Sequence, residues 1–177
     1  ALPVEYTVSG HPTDGDSLQA LGNALEGERT IRVEEKERAT LRAIADYQFG
    51  PGAGDVLLDE FELQGRYPRL QALAPDGEQL AALVPQYGTL ALSLAGARAW
   101  VESDVPTKRV EIDTFRPHGS VLAPGIVDAS PSIRVGDEVV IDGPEAFGIG
   151  RAEMSGTAMV ESTRGESVDV RHVTDPR

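Results

Sequence analysis

Hydrophobic positions alternate briefly at the start of the chain, follow a helical period to about residue 49, and alternate for most of the rest. Val4, Tyr6 and Val8 share one parity, which predicts a strand over residues 2–9. His11-Pro12-Thr13-Asp14-Gly15-Asp16 reads as a turn. Asp16 or Ser17 can cap a short helix that places Leu18, Leu21 and Leu25 on one face, with Gly27 expected to end it. Residues 34–49 give the strongest helical pattern. Leu41, Ile44, Ala45 and Gln48 line one face, and Glu34, Glu35 and Glu37 sit near the positive end of the helix dipole. Gly50-Pro51-Gly52-Ala53-Gly54 breaks it.

From Phe61 onward the period is that of strands. Phe61, Leu63 and Gly65 mark a short extended segment. The runs 70–74 and 79–84 flank Asp76-Gly77, a hairpin signal because Gly accepts positive φ. Leu90, Leu92 and Leu94 give an apolar face to a third strand over residues 89–94. A short helix over 95–101 carries Trp100, the single tryptophan. Glu102-Ser103-Asp104-Val105-Pro106 is the expected boundary between a domain over residues 1–105, whose first 33 residues form an unassigned extension, and one over 106–177. In the second, short strands alternate with Gly/Pro turns at roughly ten-residue spacing, which argues for a small closed β-structure. Val139 and Ile141 point to one face of a strand and Val140 to the other, and Asp142-Gly143-Pro144 stops it.

Charge complicates this picture. Acidic residues outnumber basic ones 29 to 16, for a net charge of −13, and only two of the sixteen are lysine. Nucleic-acid binders are ordinarily basic, since phosphate neutralisation supplies most of their affinity. Either the chain does not bind nucleic acid and its acidity is solubilising, or it works in a very salty cytoplasm. The second reading is favoured: the even spread of carboxylates and the scarcity of lysine resemble halophilic archaeal proteins, and at molar salt the Debye length of ~3 Å screens like-charge repulsion. The absence of cysteine excludes disulfides and thiolate metal sites. No apolar run approaches the ~20 residues that span a bilayer, and no signal-peptide pattern opens the chain, so a cytoplasmic protein is expected.

Catalytic patterns are missing. His11, His118 and His172 lack metal-ligand spacing, and no nucleophile elbow surrounds Ser120 or Ser132. Asp137 and Glu138 alternate onto opposite faces, which reads as a solvated strand entrance. The glycines of 50–54 follow a helix rather than precede one, so they read as a helix stop and not a phosphate cradle. No enzyme, metal or cofactor is expected.

Five pieces in order are similar to a PUA domain: Gly119-Ser120-Val121 with Pro124-Gly125; Val135-Gly136-Asp137-Glu138-Val139-Val140; Gly148-Ile149-Gly150-Arg151-Ala152; Met154; and Arg164-Gly165 with Val168-Asp169-Val170-Arg171-His172. Upstream, Ala45-Asp46-Tyr47-Gln48-Phe49-Gly50, Gly52-Ala53-Gly54, Asp76-Gly77, Tyr87-Gly88-Thr89-Leu90 and Gly96-Ala97 resemble the small α+β domain that precedes the PUA domain in archaeosine tRNA-guanine transglycosylases and archaeosine synthases. The resemblance implies an α+β fold ending in a PUA-like β pseudo-barrel, without the catalytic barrel of those enzymes. It implies RNA contact, most simply with tRNA, through His118, Gly119, Ser120, Val121, Leu122, Ala123, Pro124 and Gly125, together with Arg151, Arg171 and His172. Surface glycine admits a sugar-phosphate backbone closely, and arginine pairs phosphate bidentately. The expected function is non-catalytic tRNA binding that assists a separate modification enzyme. The alternative is a protein–protein module, or a detached subunit that docks on such an enzyme without touching RNA.

Overall fold

The computed structural model describes residues 15–177; the strand expected over residues 2–9 and most of the turn after it lie outside them. The chain divides into two units, Ala1–Glu37 and Arg38–Arg177. Helix α1 spans Gly15–Phe49, so the two helices expected on either side of Gly27 are one. A lone glycine costs only about 1 kcal/mol against alanine inside a helix, and no second breaker stands beside it. Gly50, with φ of 123° and Pro51 behind it, is the stop that works. Leu25 is exposed and takes no part in a core; the side chains of Leu18 and Leu21 lie outside the description.

In the second unit, α1 is followed by a short helix the sequence did not suggest, α2 (Ala53–Leu57). An antiparallel meander comes next: β1 (Glu62–Arg66), β2 (Arg69–Leu73), β3 (Gln79–Val84) and β4 (Thr89–Leu92), paired in chain order. The Asp76-Gly77 hairpin turn forms as expected, with Gly77 at φ 87°. Leu94 begins helix α3 (Leu94–Glu102) rather than ending β4, because the Ser93 hydroxyl caps it by accepting from Gly96 N–H.

A six-stranded sheet follows. Its strands are β5 (Arg109–Ile112), β6 (Ser120–Leu122), β7 (Ile126–Ala129), β8 (Glu138–Gly143), β9 (Ala146–Ala152) and β10 (Glu166–Thr174), in the order β6-β10-β9-β8-β5-β7. Only β5 and β8 are parallel. A 3₁₀ turn, Ala123–Gly125, joins the two edge strands and curls the sheet toward closure, giving the expected pseudo-barrel. Helix α4 (Gly156–Glu161) packs close: a Cβ on Gly156 would lie 2.0 Å from the Ser130 carbonyl.

Alternation divides the cores. Val139 and Ile141 enter the barrel with Val110, Val121, Ile133, Met159 and Val168. Val140, on the opposite side of the same strand, is equally buried. It joins Phe147 and Ile149 in a core otherwise built by α1, α2, the meander and α3, with Leu41, Ala45, Phe49, Leu70, Leu90 and Trp100. The outer face of β8 and β9 is therefore a floor for the first half of the unit.

The run Asp46-Tyr47-Gln48-Phe49-Gly50 belongs to this architecture. The Asp46 carboxylate accepts from Gly54 N–H at 2.8 Å. Gln48 donates to Leu90 O at 2.8 Å and accepts from Leu90 N–H at 2.7 Å. Phe49 packs on Trp100 with ring centroids 4.6 Å apart. Tyr47 is 90% exposed. Among the described residues no helix is long and apolar enough to cross a membrane.

Candidate functional site

The outer face of the six-stranded sheet holds the sequence-predicted site. In antiparallel pairing, directly opposed residues share a face. Ser120 lies opposite Asp169, Asp169 opposite Arg151, and Arg151 opposite Glu138, so the four form one row across β6, β10, β9 and β8. At about 4.8 Å per strand the row runs roughly 14 Å. Its β6 end is open and its β8 end is covered.

The open end is a rim built from residues 115–125. Gly119 adopts φ 83°, which lets the chain turn sharply into β6. Its carbonyl accepts from Val170 N–H, the Gly125 carbonyl from Asp113 N–H, and Ala123 N–H donates to Gly165 O, so the backbone is pinned on three sides. Val121 and Ala123 turn their side chains inward and are buried. His118, Ser120, Leu122, Pro124 and Gly125 instead line a concavity of about 390 Å³ with Phe115, Arg116 and Pro117. Phe115 seats on Gly125, where a Cβ would come within 2.9 Å of its ring. Arg116 is the cation of this concavity. Its partner Asp175, at 2.6 Å, is 88% exposed, and an exposed ion pair of this kind holds weakly against a competing phosphate. Phe115 and Arg116 were not anticipated as site residues; the Phe-Arg-Pro-His run at 115–118 is the signal that points to them.

At the covered end, Glu138 corrects the reading of a solvated strand entrance. It is only 5% exposed. Its carboxylate accepts from Arg171 and, at 2.8 Å, from Leu92 N–H, while Arg171 donates to Leu92 O at 3.0 Å. Burial pushes the Glu138 carboxyl above the usual carboxylate value, against the opposing pull of Arg171. Asp137 does face the other way, pairing with Lys108 at 2.8 Å. Arg171 is thus committed to the seam between barrel and meander. A bulge in β10 between Val170 and His172 keeps exposed His172 opposite Ile149 and returns Val173 to the barrel. Arg151 lies between the two ends of the row. Its guanidinium stands 4.1 Å from the centroid of the Tyr87 ring and beside Gly136, where a Cβ would lie 3.2 Å from it. The structure therefore gathers His118, Ser120, Leu122, Pro124 and Gly125 into one concavity, and sets Arg151, Arg171 and His172 apart from it on the neighbouring strands.

Two family models match this architecture: the patch-forming domain C2 of tRNA-guanine transglycosylase over residues 39–106, and the PUA domain over residues 111–174. The chain thus carries a region that matches the C2 domain followed by one that matches the PUA domain. It is 56% identical to archaeosine synthase of the halophile Haloferax volcanii over 98% of its own length, and 33% identical to tRNA-guanine(15) transglycosylase of Thermococcus kodakarensis over 82%. It spans only 30% and 27% of those relatives, and the matched region is their C-terminal, PUA-bearing part. Among solved structures, a protein of unknown function superposes with a TM-score of 0.65 at 31% identity, over 76% of this chain and 46% of that one. A PUA domain protein from Thermoplasma acidophilum gives 0.56 at 19% identity, over 78% and 88%, and shares the fold.

Proposed function

We propose that this C2–PUA chain is the non-catalytic tRNA-binding part of an archaeosine-type tRNA-modification system, and that it presents tRNA to catalytic domains housed elsewhere. The observation that carries the reading is the rim concavity on the PUA domain, where glycine backbone, an apolar floor of Phe115, Leu122 and Pro124, and the cation of Arg116 converge. Such a surface suits recognition by shape, backbone approach and 2′-hydroxyl contact more than by bulk charge. A net charge of −13 is compatible with that mode when salt is high, and the relative in Haloferax volcanii supports a salty setting. The similarity to archaeosine synthases and transglycosylases supports tRNA as the RNA and a modification enzyme as the partner. The working division is residues 1–105 as the C2 side and 106–177 as the PUA side, the second supplying the RNA contacts at 118–125, with Arg151 and His172 on the flanking strands and Arg171 holding the seam beneath them.

The test is retention of bulk tRNA by the full chain in about 2 M KCl, where most counterion-release affinity is suppressed, against a duplex DNA control. Selective retention of tRNA, weakened at least tenfold by Leu122→Glu, is the expected result. Leu122 is 54% exposed, so the substitution leaves the core alone. Equal retention of DNA, or no effect of the substitution, overturns the reading. Capture of a transglycosylase without any RNA selects a protein-docking role instead.

A further inference from the structure

The PUA rim is not the only surface suited to RNA. The C2 meander places its β1–β2 and β3–β4 turns at one end of the sheet and the Asp76-Gly77 turn at the other. In a chain with 29 carboxylates, none occurs in residues 63–75 or 79–101, so the meander's carboxylates are confined to its far end, at Glu62 and in the turn with Asp76 and Glu78. The near end carries Arg66, Tyr67 and Arg69 on one turn and Tyr87 on the other. Tyr87 is 60% exposed although it is a large aromatic. The Arg151 guanidinium, reaching across from the PUA sheet, sits 4.1 Å from its ring centroid. Gly136 leaves the room that guanidinium occupies, since a side chain there would crowd it at 3.2 Å. Arg151 lies two strands from Ser120 on the same outer face, roughly 10 Å away.

We propose that Tyr87, backed by Arg151, is a stacking platform for an unpaired nucleobase of the same RNA that the rim holds. An aromatic ring with a guanidinium beside it offers a π face and a cation together, the combination that binds single-stranded nucleotides without sequence preference. Asp169, between Ser120 and Arg151 in the row, presents a carboxylate that accepts from a ribose hydroxyl or a base amine and repels phosphate. The RNA chain therefore crosses this point with its sugars or bases, not its phosphates, turned to the protein. Tyr47, 90% exposed with no cation stacked on it among the ring contacts of the described residues, is the natural control.

This inference rests on the RNA-binding reading, and the experiment separates the two. The full chain is irradiated with tRNA transcripts containing 4-thiouridine, and cross-linked peptides are mapped by mass spectrometry. The expected result is a cross-link at Tyr87 together with one on the rim. In parallel, Tyr87→Ala weakens tRNA binding about tenfold, a loss that persists in high salt because stacking is not screened, while Tyr87→Phe and Tyr47→Ala stay within about twofold. A rim cross-link without one at Tyr87, or equal effects of Tyr87→Ala and Tyr47→Ala, overturns the platform and leaves tRNA binding standing. Absence of tRNA binding in the unaltered chain overturns both.

Discussion

The seam and the rim are two ends of one sheet face, yet they use similar residues for opposite purposes. At the seam, Glu138 is a charged group withdrawn from solvent that holds Leu92 together with the half-buried Arg171 guanidinium, and Val140, Phe147 and Ile149 are apolar groups that fill a core shared by both halves of the unit. At the rim, Leu122 and Pro124 are apolar groups left outside, and Arg116 is a charged group held only by an exposed partner. Residue type does not separate the two ends; what covers the strand does. An arginine on β10 becomes structural because a neighbouring strand needs its hydrogen bonds, and an arginine beside β6 is paired with Asp175, which is itself exposed.

The contrast is broken most severely from the seam side. Phe147→Ala removes a fully buried ring from the shared core and should destabilise the fold by about 3–5 kcal/mol, read by denaturant unfolding. Glu138→Ala comes next. It leaves Leu92 N–H without its acceptor and Arg171 without its counter-charge, for a loss of about 2–3 kcal/mol, with Arg171 partly compensated by water because about a third of it is exposed (32%). The pH dependence sharpens the point. Because the folded state raises the Glu138 carboxyl, it holds that proton more tightly than the unfolded chain. The stability this proton brings is fully present below the unfolded value of about 4.3 and is lost as pH rises through the folded value. The stability of the wild type relative to Glu138→Gln should therefore increase as pH is lowered from about 7 toward about 4; a constant difference would mean that Glu138 is not buried as described. The smallest stability effect belongs to the rim. Leu122→Glu should shift unfolding by less than about 0.5 kcal/mol while weakening the tRNA retention described above at least tenfold.

Local patterns told much of this in advance. The Asp76-Gly77 hairpin, the helix carrying Trp100 and the alternation of Val139, Val140 and Ile141 are all visible in the amino-acid order, because backbone preference and period are local properties. What stayed hidden depends on distant partners. Alternation correctly sent Val140 and Glu138 to the face opposite Val139, but only the tertiary arrangement reveals that this face meets a second core instead of water. Arg171 read as a candidate RNA contact because its neighbours matched a binding motif, whereas its guanidinium is bound to groups 33 and 79 residues earlier in the chain. Helix α2 escaped notice because its five residues follow two glycines and a proline, and a Cβ on Gly54 would lie 2.4 Å from the Arg42 carbonyl, a closeness no period encodes. Five of the eight residues singled out at 118–125 line the rim concavity, while the arginine lining it, Arg116, lies in the loop before them and was not among the residues singled out.

Strand β4 ends the meander with outward amides and carbonyls at Leu90 and Leu92, and side chains, not another strand, close them. The order of synthesis gives this arrangement a schedule. Gln48 leaves the ribosome 42 residues before Leu90 and can seal that position as soon as it emerges. Leu92 must wait for Glu138, 46 residues later, and for Arg171, 79 residues later. At roughly 5–20 residues per second the half-closed edge stands open for roughly 4–16 s. During that interval the nascent meander offers one unsatisfied backbone position to any passing strand, and the arrival of the last strand of the PUA domain withdraws the offer.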